Sequence, residues 1–204
     1  MSEAHGSPST TATLTTVQTF PHTWTAEILK SPPLIAPARQ FTYPRQIAGE
    51  EDTLARGALQ LLIRPAIGGQ FLATCALGFT DPTMPTDVHP CPNPDELCAV
   101  AGGYAYIIDT LTPESSTHIP LKPVVDVRAI PEHNLILFTG FHTILAWGST
   151  GEAWHTQRLS WEGIRITGIE GDTLHGLGWN LITDKEVPFT VNLRTGAHQG
   201  GGVS

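Results

Sequence analysis

Tryptophan is concentrated in one stretch of this chain, in which Trp147, Trp154, Trp161 and Trp179 are four of its five tryptophans. Trp161 and Trp179 stand in the short segments Ser-Trp-Glu-Gly and Gly-Trp-Asn, which are typical of loops. A loop tryptophan beside a carboxylate is well suited to contact a partner or a ligand. The alternative is that both are buried corner residues. The predicted partner-binding residues are Trp161, Glu162, Trp179, Asp184 and Lys185.

Trp147 and Trp154 flank a predicted hairpin turn at residues 148–151. Strand alternation places Leu145 opposite Trp154 and puts Trp147 on the same face. Aromatic side chains bury large areas and pair well across strands, so core packing between neighbouring sheets is the expected role of both tryptophans.

A His-x-Cys-x6-Cys spacing occurs at His89, Cys91 and Cys98. Structural zinc needs four nitrogen or sulfur ligands, and the fourth would have to be His118 or Cys75. The chain has no Cys-x-x-Cys pair, and Cys98 lies in an alternating apolar strand. Core thiols are therefore the preferred interpretation, and no metal and no cofactor are expected.

The alternative function is a small hydrolase or a metal-dependent enzyme, built on histidines and aspartates of the region after residue 97. Nucleophilic catalysis needs a histidine near a hydroxyl and a carboxylate. The available residues are His142, His155 and His175, with Ser160 and either Asp172 or Asp184. No Gly-x-Ser-x-Gly elbow and no phosphate-binding glycine loop supports them, so no catalytic residue is assigned.

Composition indicates one turn-rich β domain. The 204 residues are 40% hydrophobic and 15% charged, and they include 20 glycines and 17 prolines. The formal net charge of −8 disfavours nucleic-acid backbones and anionic membrane surfaces as partners. Three cysteines form no paired framework, and neither a secretory signal nor an apolar membrane segment is visible. We expect a cytoplasmic protein with free thiols.

Three regions follow one another along the chain. Residues 1–19 are rich in Ser and Thr and predict a disordered tail. Residues 20–57 are Pro-rich and predict an irregular strap that inserts Trp24, Ile28, Leu34 and Ile35 into the surface of the domain. The domain itself is expected over residues 58–204. It opens with a hairpin of residues 59–63 and 71–77, for which a helix over residues 50–63 is the competing interpretation.

The strongest signal is a repeat from residue 97 onward. Three segments can be superposed, and Gly102, Gly140 and Gly178 then fall 38 residues apart, each at an expected turn. Additional strands, VVDVRAI and IRITGI, precede the second and third copies, and the polar EAWHTQRL supplies a fourth strand. A period of about 40 residues with four strands per unit is typical of propeller blades. The proline-rich residues 80–94 predict a surface loop, and residues 196–204 a flexible tail.

The repeat resembles propeller blades of the WD40 or YVTN kind over residues 58–204, without their Gly-His opening or Trp-Asp close. The stretches WGSTGEAWHTQRLSWEG and NLRTG also resemble an uncharacterised family of bacterial soluble proteins. The resemblance implies an all-β protein of about three antiparallel blade-like sheets in a propeller-like arrangement. It implies no activity.

Three blades are too few to close a ring, so sheet edges need protection. Covering by residues 20–57 is the first expectation, and a homodimer through exposed sheet edges is the second. Because blades present loops on rigid sheets, the predicted function is a non-catalytic protein-binding or scaffolding module. A basic protein is a further candidate partner, given the charge of −8.

Overall fold

The computed structural model describes residues 19–44 and 54–202. The predicted tail at residues 1–19 lies outside the described residues except for Thr19, and so do residues 45–53 of the predicted strap. In the described ranges the chain forms sixteen strands in four four-stranded sheets, so it is all-β. None of these ranges contains a helix that is long and apolar enough to cross a membrane.

The first sheet contains two strands that the sequence analysis missed. Its spatial order is β1-β3-β4-β2, and β2 pairs in parallel with β4 while the other pairs are antiparallel. The strands are β1 (Trp24–Leu29), β2 (Arg39–Tyr43), β3 (Ala58–Pro65) and β4 (Phe71–Ala76). The predicted irregularity of residues 20–57 is therefore wrong for β1 and β2, whose partners lie far along the chain.

The predicted hairpin of β3 and β4 is confirmed, with Leu61 opposite Ala73. Burial alternates along β3, so the competing helix is wrong over the residues of that strand. Trp24 is buried as expected. The expected insertion of the aliphatic residues of the strap is wrong, because Ile28, Leu34 and Ile35 are exposed.

The other three sheets are antiparallel meanders with strands in chain order. They comprise β5 (Asp87–Pro90), β6 (Glu96–Ala101), β7 (Tyr104–Asp109) and β8 (Ser116–His118); β9 (Asp126–Ile130), β10 (Leu135–Thr139), β11 (Ile144–Gly148) and β12 (Gly151–His155); and β13 (Ile164–Glu170), β14 (Thr173–Asn180), β15 (Lys185–Asn192) and β16 (His198–Gly200). The first strands of these sheets begin at residues 87, 126 and 164, offsets of 39 and 38 residues. This confirms a four-stranded repeat, but the described chain has four sheets rather than about three.

Three local expectations need correction. The predicted loop at residues 80–94 contains β5, and the predicted tail at residues 196–204 contains β16. Gly178 is not at a turn, because it lies inside β14 opposite Val187. The turn that corresponds to those at Gly102 and Gly140 comes after Asn180, between β14 and β15. The spacing of 38 residues therefore does not identify the turn in the fourth sheet.

Consecutive sheets pack face to face through three apolar clusters. The first joins sheets one and two, with Phe71 and Tyr106 among its fully buried side chains. The second joins sheets two and three around Ile107 and Phe138, and the third joins sheets three and four around Leu137 and Phe189. A continuous series of four sheets results, each packed on the next.

The tryptophan hairpin packs as predicted but with a different register. Both Trp147 and Trp154 are buried, which confirms their core role. An irregularity after Ala146 places that residue, rather than Leu145, opposite Trp154. Trp147 consequently packs in the second cluster and Trp154 in the third, on opposite faces of the sheet. The expectation of one shared face is wrong.

Glu96 connects three sheets at the start of β6. Its carbonyl oxygen accepts a hydrogen bond from Trp24 Nε1 at 3.0 Å, and its Oε2 accepts one from Trp147 Nε1 at 3.0 Å. Partial burial raises the pKa of the Glu96 carboxyl, and the hydrogen bond from Trp147 opposes that rise. Desolvation therefore disfavours the charged form in the folded state.

We expect Glu96→Gln to gain stability relative to the parent chain as pH rises. The folded state holds the Glu96 proton more tightly than the unfolded state. The protonated carboxyl thus contributes fully to the stability of the folded state below its ordinary pKa. This contribution is lost as the pH rises through the raised pKa of the folded state. Glutamine retains an acceptor for Trp147 and does not titrate. Denaturant midpoints of both chains at about pH 3.5 and about pH 7 measure the difference. A difference that is independent of pH would contradict this assignment.

Candidate functional site

The buried hydroxyl of Ser160 organises the loop that carries two of the predicted binding residues. Ser160 Oγ donates to the carbonyl oxygen of Gly163 and accepts from the backbone N–H groups of Trp179 at 2.7 Å and Glu162 at 3.2 Å. The N–H of Trp161 in turn donates to the carbonyl oxygen of Trp179 at 3.0 Å. The connection from β12 to β13 is thereby attached to the end of β14, which brings Trp161, Glu162 and Trp179 together.

Trp161 lies in this connecting loop, as predicted, and is 39% exposed. The guanidinium of Arg158 stacks on its ring, with Cζ 4.5 Å from the ring centroid. A guanidinium over an indole face is attracted by the electron density of the ring. One face of Trp161 is therefore used within the chain.

Trp179 is not a loop residue, which corrects its predicted position. It is the next-to-last residue of β14, opposite Glu186 in β15, and it is half-buried. It lines a cavity of about 170 Å³ at this end of the fourth sheet. The other lining residues are Glu162, Gly163, Ile164, Arg165 and Glu186.

The turn from β14 to β15 lies at the same end of the fourth sheet and is fixed by Asn180. This buried side chain accepts hydrogen bonds through Oδ1 from the N–H groups of Ile182 and Thr183, each at 3.0 Å. Asp184, with a positive φ of 55°, is exposed and completes the turn. Lys185 is exposed but is the first residue of β15 rather than a loop residue.

Two apolar residues at the tip of this turn were missed by the sequence analysis. Leu181 is 61% exposed and Ile182 is 89% exposed. The available signal was an adjacent Leu-Ile pair between Asn180 and Asp184, since such turn residues place the intervening side chains at a hairpin tip. Together with the predicted residues they form one surface, the binding corner, which consists of Trp161, Glu162, Trp179, Leu181, Ile182, Asp184 and Lys185.

The residues of the alternative hydrolase do not meet as a catalytic triad in the described ranges. Ser160 is fully buried, and its hydroxyl serves the loop contacts given above. His142 contacts the carbonyl oxygen of Ser160 through Nδ1, and His155 contacts Thr143 Oγ1 through Nε2. Asp172 lies at the opposite end of the fourth sheet, where the hydrogen bond from Arg194 lowers the pKa of its carboxyl. His175 lies on β14 with Nε2 4.0 Å from Glu170.

The two candidate fourth ligands of the zinc-like spacing lie on the other side of the second sheet from its cysteines, while His89 lies in β5 directly opposite Cys98. Cys91 and Cys98 are buried in the second cluster, whereas Cys75 belongs to the first cluster. His118 stacks on Tyr106, which is also in the first cluster. Burial raises the pKa of all three thiols, so none is a ready thiolate. In residues 19–44 and 54–202, no group of three or more metal-ligating side chains occurs.

Comparison with protein-family models and with curated protein sequences finds no match for this chain.

Proposed function

We propose that this protein is a non-catalytic protein-binding or scaffolding module whose binding corner contacts a protein partner. In this proposal the four sheets are blades in a propeller-like arrangement, of the kind that the resemblance to WD40 or YVTN repeats and to bacterial soluble proteins implies. The presence of four four-stranded sheets supports this part of the proposal. In this proposal the module acts in the cytoplasm, and neither nucleic acid nor membrane is its partner.

The observation that carries the proposal is the exposure of Leu181 and Ile182 on a turn with fixed geometry. Exposed aliphatic side chains on an ordered turn gain free energy when a partner covers them. Because Asn180 and Ser160 already hold the backbone, little conformational entropy is lost on binding. Trp161 and Trp179 beside the tip are of the type that dominates interface energetics.

Ile182→Asp is expected to weaken partner binding at least tenfold. A buried charge in an apolar contact costs more than about 1.4 kcal/mol, the equivalent of that factor. Proteins captured from native extract by the immobilised full chain are identified by mass spectrometry, and their affinities are then measured with purified components.

The matched control is Ile67→Asp, because Ile67 is 78% exposed in the turn between β3 and β4 of the first sheet. The proposal requires a partner that binds the parent chain and the Ile67 variant with equal affinity. A partner that tolerates Ile182→Asp but is released by Ile67→Asp would place the contact surface elsewhere. An edge-paired homodimer, the second candidate for the partner, would appear as a dimer in analytical ultracentrifugation of the chain alone.

A further inference from the structure

We propose that the cavity beside Trp179 binds the side chain of a lysine presented by the protein partner. This inference rests on the proposed function and names the chemistry that the binding corner recognises. The cavity of about 170 Å³ equals the volume of roughly five or six water molecules. It is large enough for one long side chain and too small for a folded segment.

The charges that line the cavity leave one carboxylate without a partner. Arg165 and Glu186 form a two-point ion pair, with Nη2 2.6 Å from Oε2 and Nε 3.3 Å from Oε1. That pair neutralises both residues. Glu162, by contrast, forms no ion pair with any cation in the described part of the chain. The lining therefore carries a net charge of −1, which selects for a cation.

The walls of the cavity suit the stem of a lysine as well as its charged end. Trp179 supplies indole surface next to Glu162. Lysine packs its methylene groups on apolar surface while its ammonium remains at a polar rim. An ammonium near an indole face also gains cation–π attraction. The same corner already contains a cation on a tryptophan, since Arg158 stacks on Trp161.

The whole chain favours such a partner as well. Its net charge of −8 attracts basic segments over the range of a Debye length. A sugar would also stack on a tryptophan, but its neutral hydroxyl groups would leave the Glu162 charge uncompensated. A cationic side chain satisfies both the ring and the carboxylate.

The test is an NMR titration of the full chain with two tripeptides that differ only in their central residue, lysine or norleucine. Norleucine has the aliphatic stem without the ammonium. The indole N–H resonance of Trp179, assigned from Trp179→Phe, is expected to shift with the lysine peptide and not with the norleucine peptide. The shift should decrease as salt is added, because the contact is partly exposed.

Glu162→Gln is expected to lower the affinity for the lysine peptide by roughly threefold to fivefold, which is the loss expected when one exposed ion pair is removed. Glu152→Gln is the matched control, because Glu152 is an exposed carboxylate on β12 outside the cavity and its loss changes net charge equally. Equal shifts with both peptides would overturn the inference, as would no shift with lysine. A shift produced by simple sugars but not by lysine would assign the cavity to carbohydrate instead.

A negative result for lysine binding is distinguishable from a negative result for the proposed protein-binding function. Release of a partner by Ile182→Asp with no lysine-induced shift would retain a protein-binding module that recognises other chemistry. A lysine-specific shift with no effect of Ile182→Asp would retain the cavity as a ligand site and reject the apolar tip as a contact.

Discussion

Replacing Trp154 by alanine is expected to lower the free energy of unfolding by about 3–5 kcal/mol. Trp154 is buried between the third and fourth sheets, and its Nε1 donates a 2.7 Å hydrogen bond to the carbonyl oxygen of Leu193. Its ring also packs on Gly196, where an added Cβ would lie 2.8 Å from it. The substitution leaves a cavity between two sheets and removes one of the hydrogen bonds between them.

Equilibrium denaturation in guanidinium, monitored by circular dichroism, measures this loss. Trp161→Ala is the matched control, since the same chemical change at an exposed residue should cost less than about 1 kcal/mol. If the two variants unfold at the same denaturant concentration, the third cluster does not hold the last two sheets together. A change of slope for Trp154→Ala alone would indicate that the fourth sheet unfolds separately.

Gly178→Ala is expected to destabilise the protein by about 1–3 kcal/mol, although it adds only one methyl group. A Cβ at residue 178 would lie 2.4 Å from the carbonyl oxygen of Leu159. That oxygen cannot easily move away, because it accepts a hydrogen bond from Gly202 N at 2.7 Å, and Leu159 N donates to the carbonyl oxygen of His142 at 2.7 Å. The loop that carries Trp161 must therefore separate from β14.

Gly168→Ala is the control for the general effect of removing a glycine from a strand of this sheet. An added Cβ there meets no atom within 4 Å, so the variant should be neutral or slightly more stable. Denaturant midpoints of both variants, with the assigned indole N–H NMR resonance of Trp161 as a local probe, distinguish a local opening from a global loss. Equal stability of Gly178→Ala and the parent chain would show that the contact is loose.

The strands between residues 97 and 192, except the short polar β8, could be predicted because their signal is local. Each apolar run in this part pairs with its neighbour across a short turn, as β10 and β11 do. β1 and β2 could not be predicted in this way, since their partners come from another part of the chain and the sequence of β2 is largely polar. β5 could not be predicted because it ends in a proline, a residue that usually argues against a strand. An outer strand tolerates proline at its end, because an outer strand has a hydrogen-bonded neighbour on one side only.

The candidate site was predicted in part. The types of Trp161 and Trp179 indicated contact residues, but nothing local reveals that the N–H of one bonds the carbonyl oxygen of the other. Ser160 brings the two tryptophans together, because its hydroxyl oxygen accepts a hydrogen bond from the N–H of Trp179. The residues around Ser160 in the sequence are those of an ordinary turn. The sequence does not indicate that Arg165 and Glu186 meet, because their ion pair crosses from β13 to β15 across the intervening strand.

The strand order of the first sheet constrains how the chain folds while it is being synthesised. Trp24 pairs with Pro65 and Arg39 with Phe71, so neither β1 nor β2 has a partner until the β3–β4 hairpin has left the ribosome. The three later sheets need only local hairpins, which close quickly. β1 and β2 are thus made well before the strands that they pair with, and their backbone edges are exposed to other chains until the β3–β4 hairpin follows.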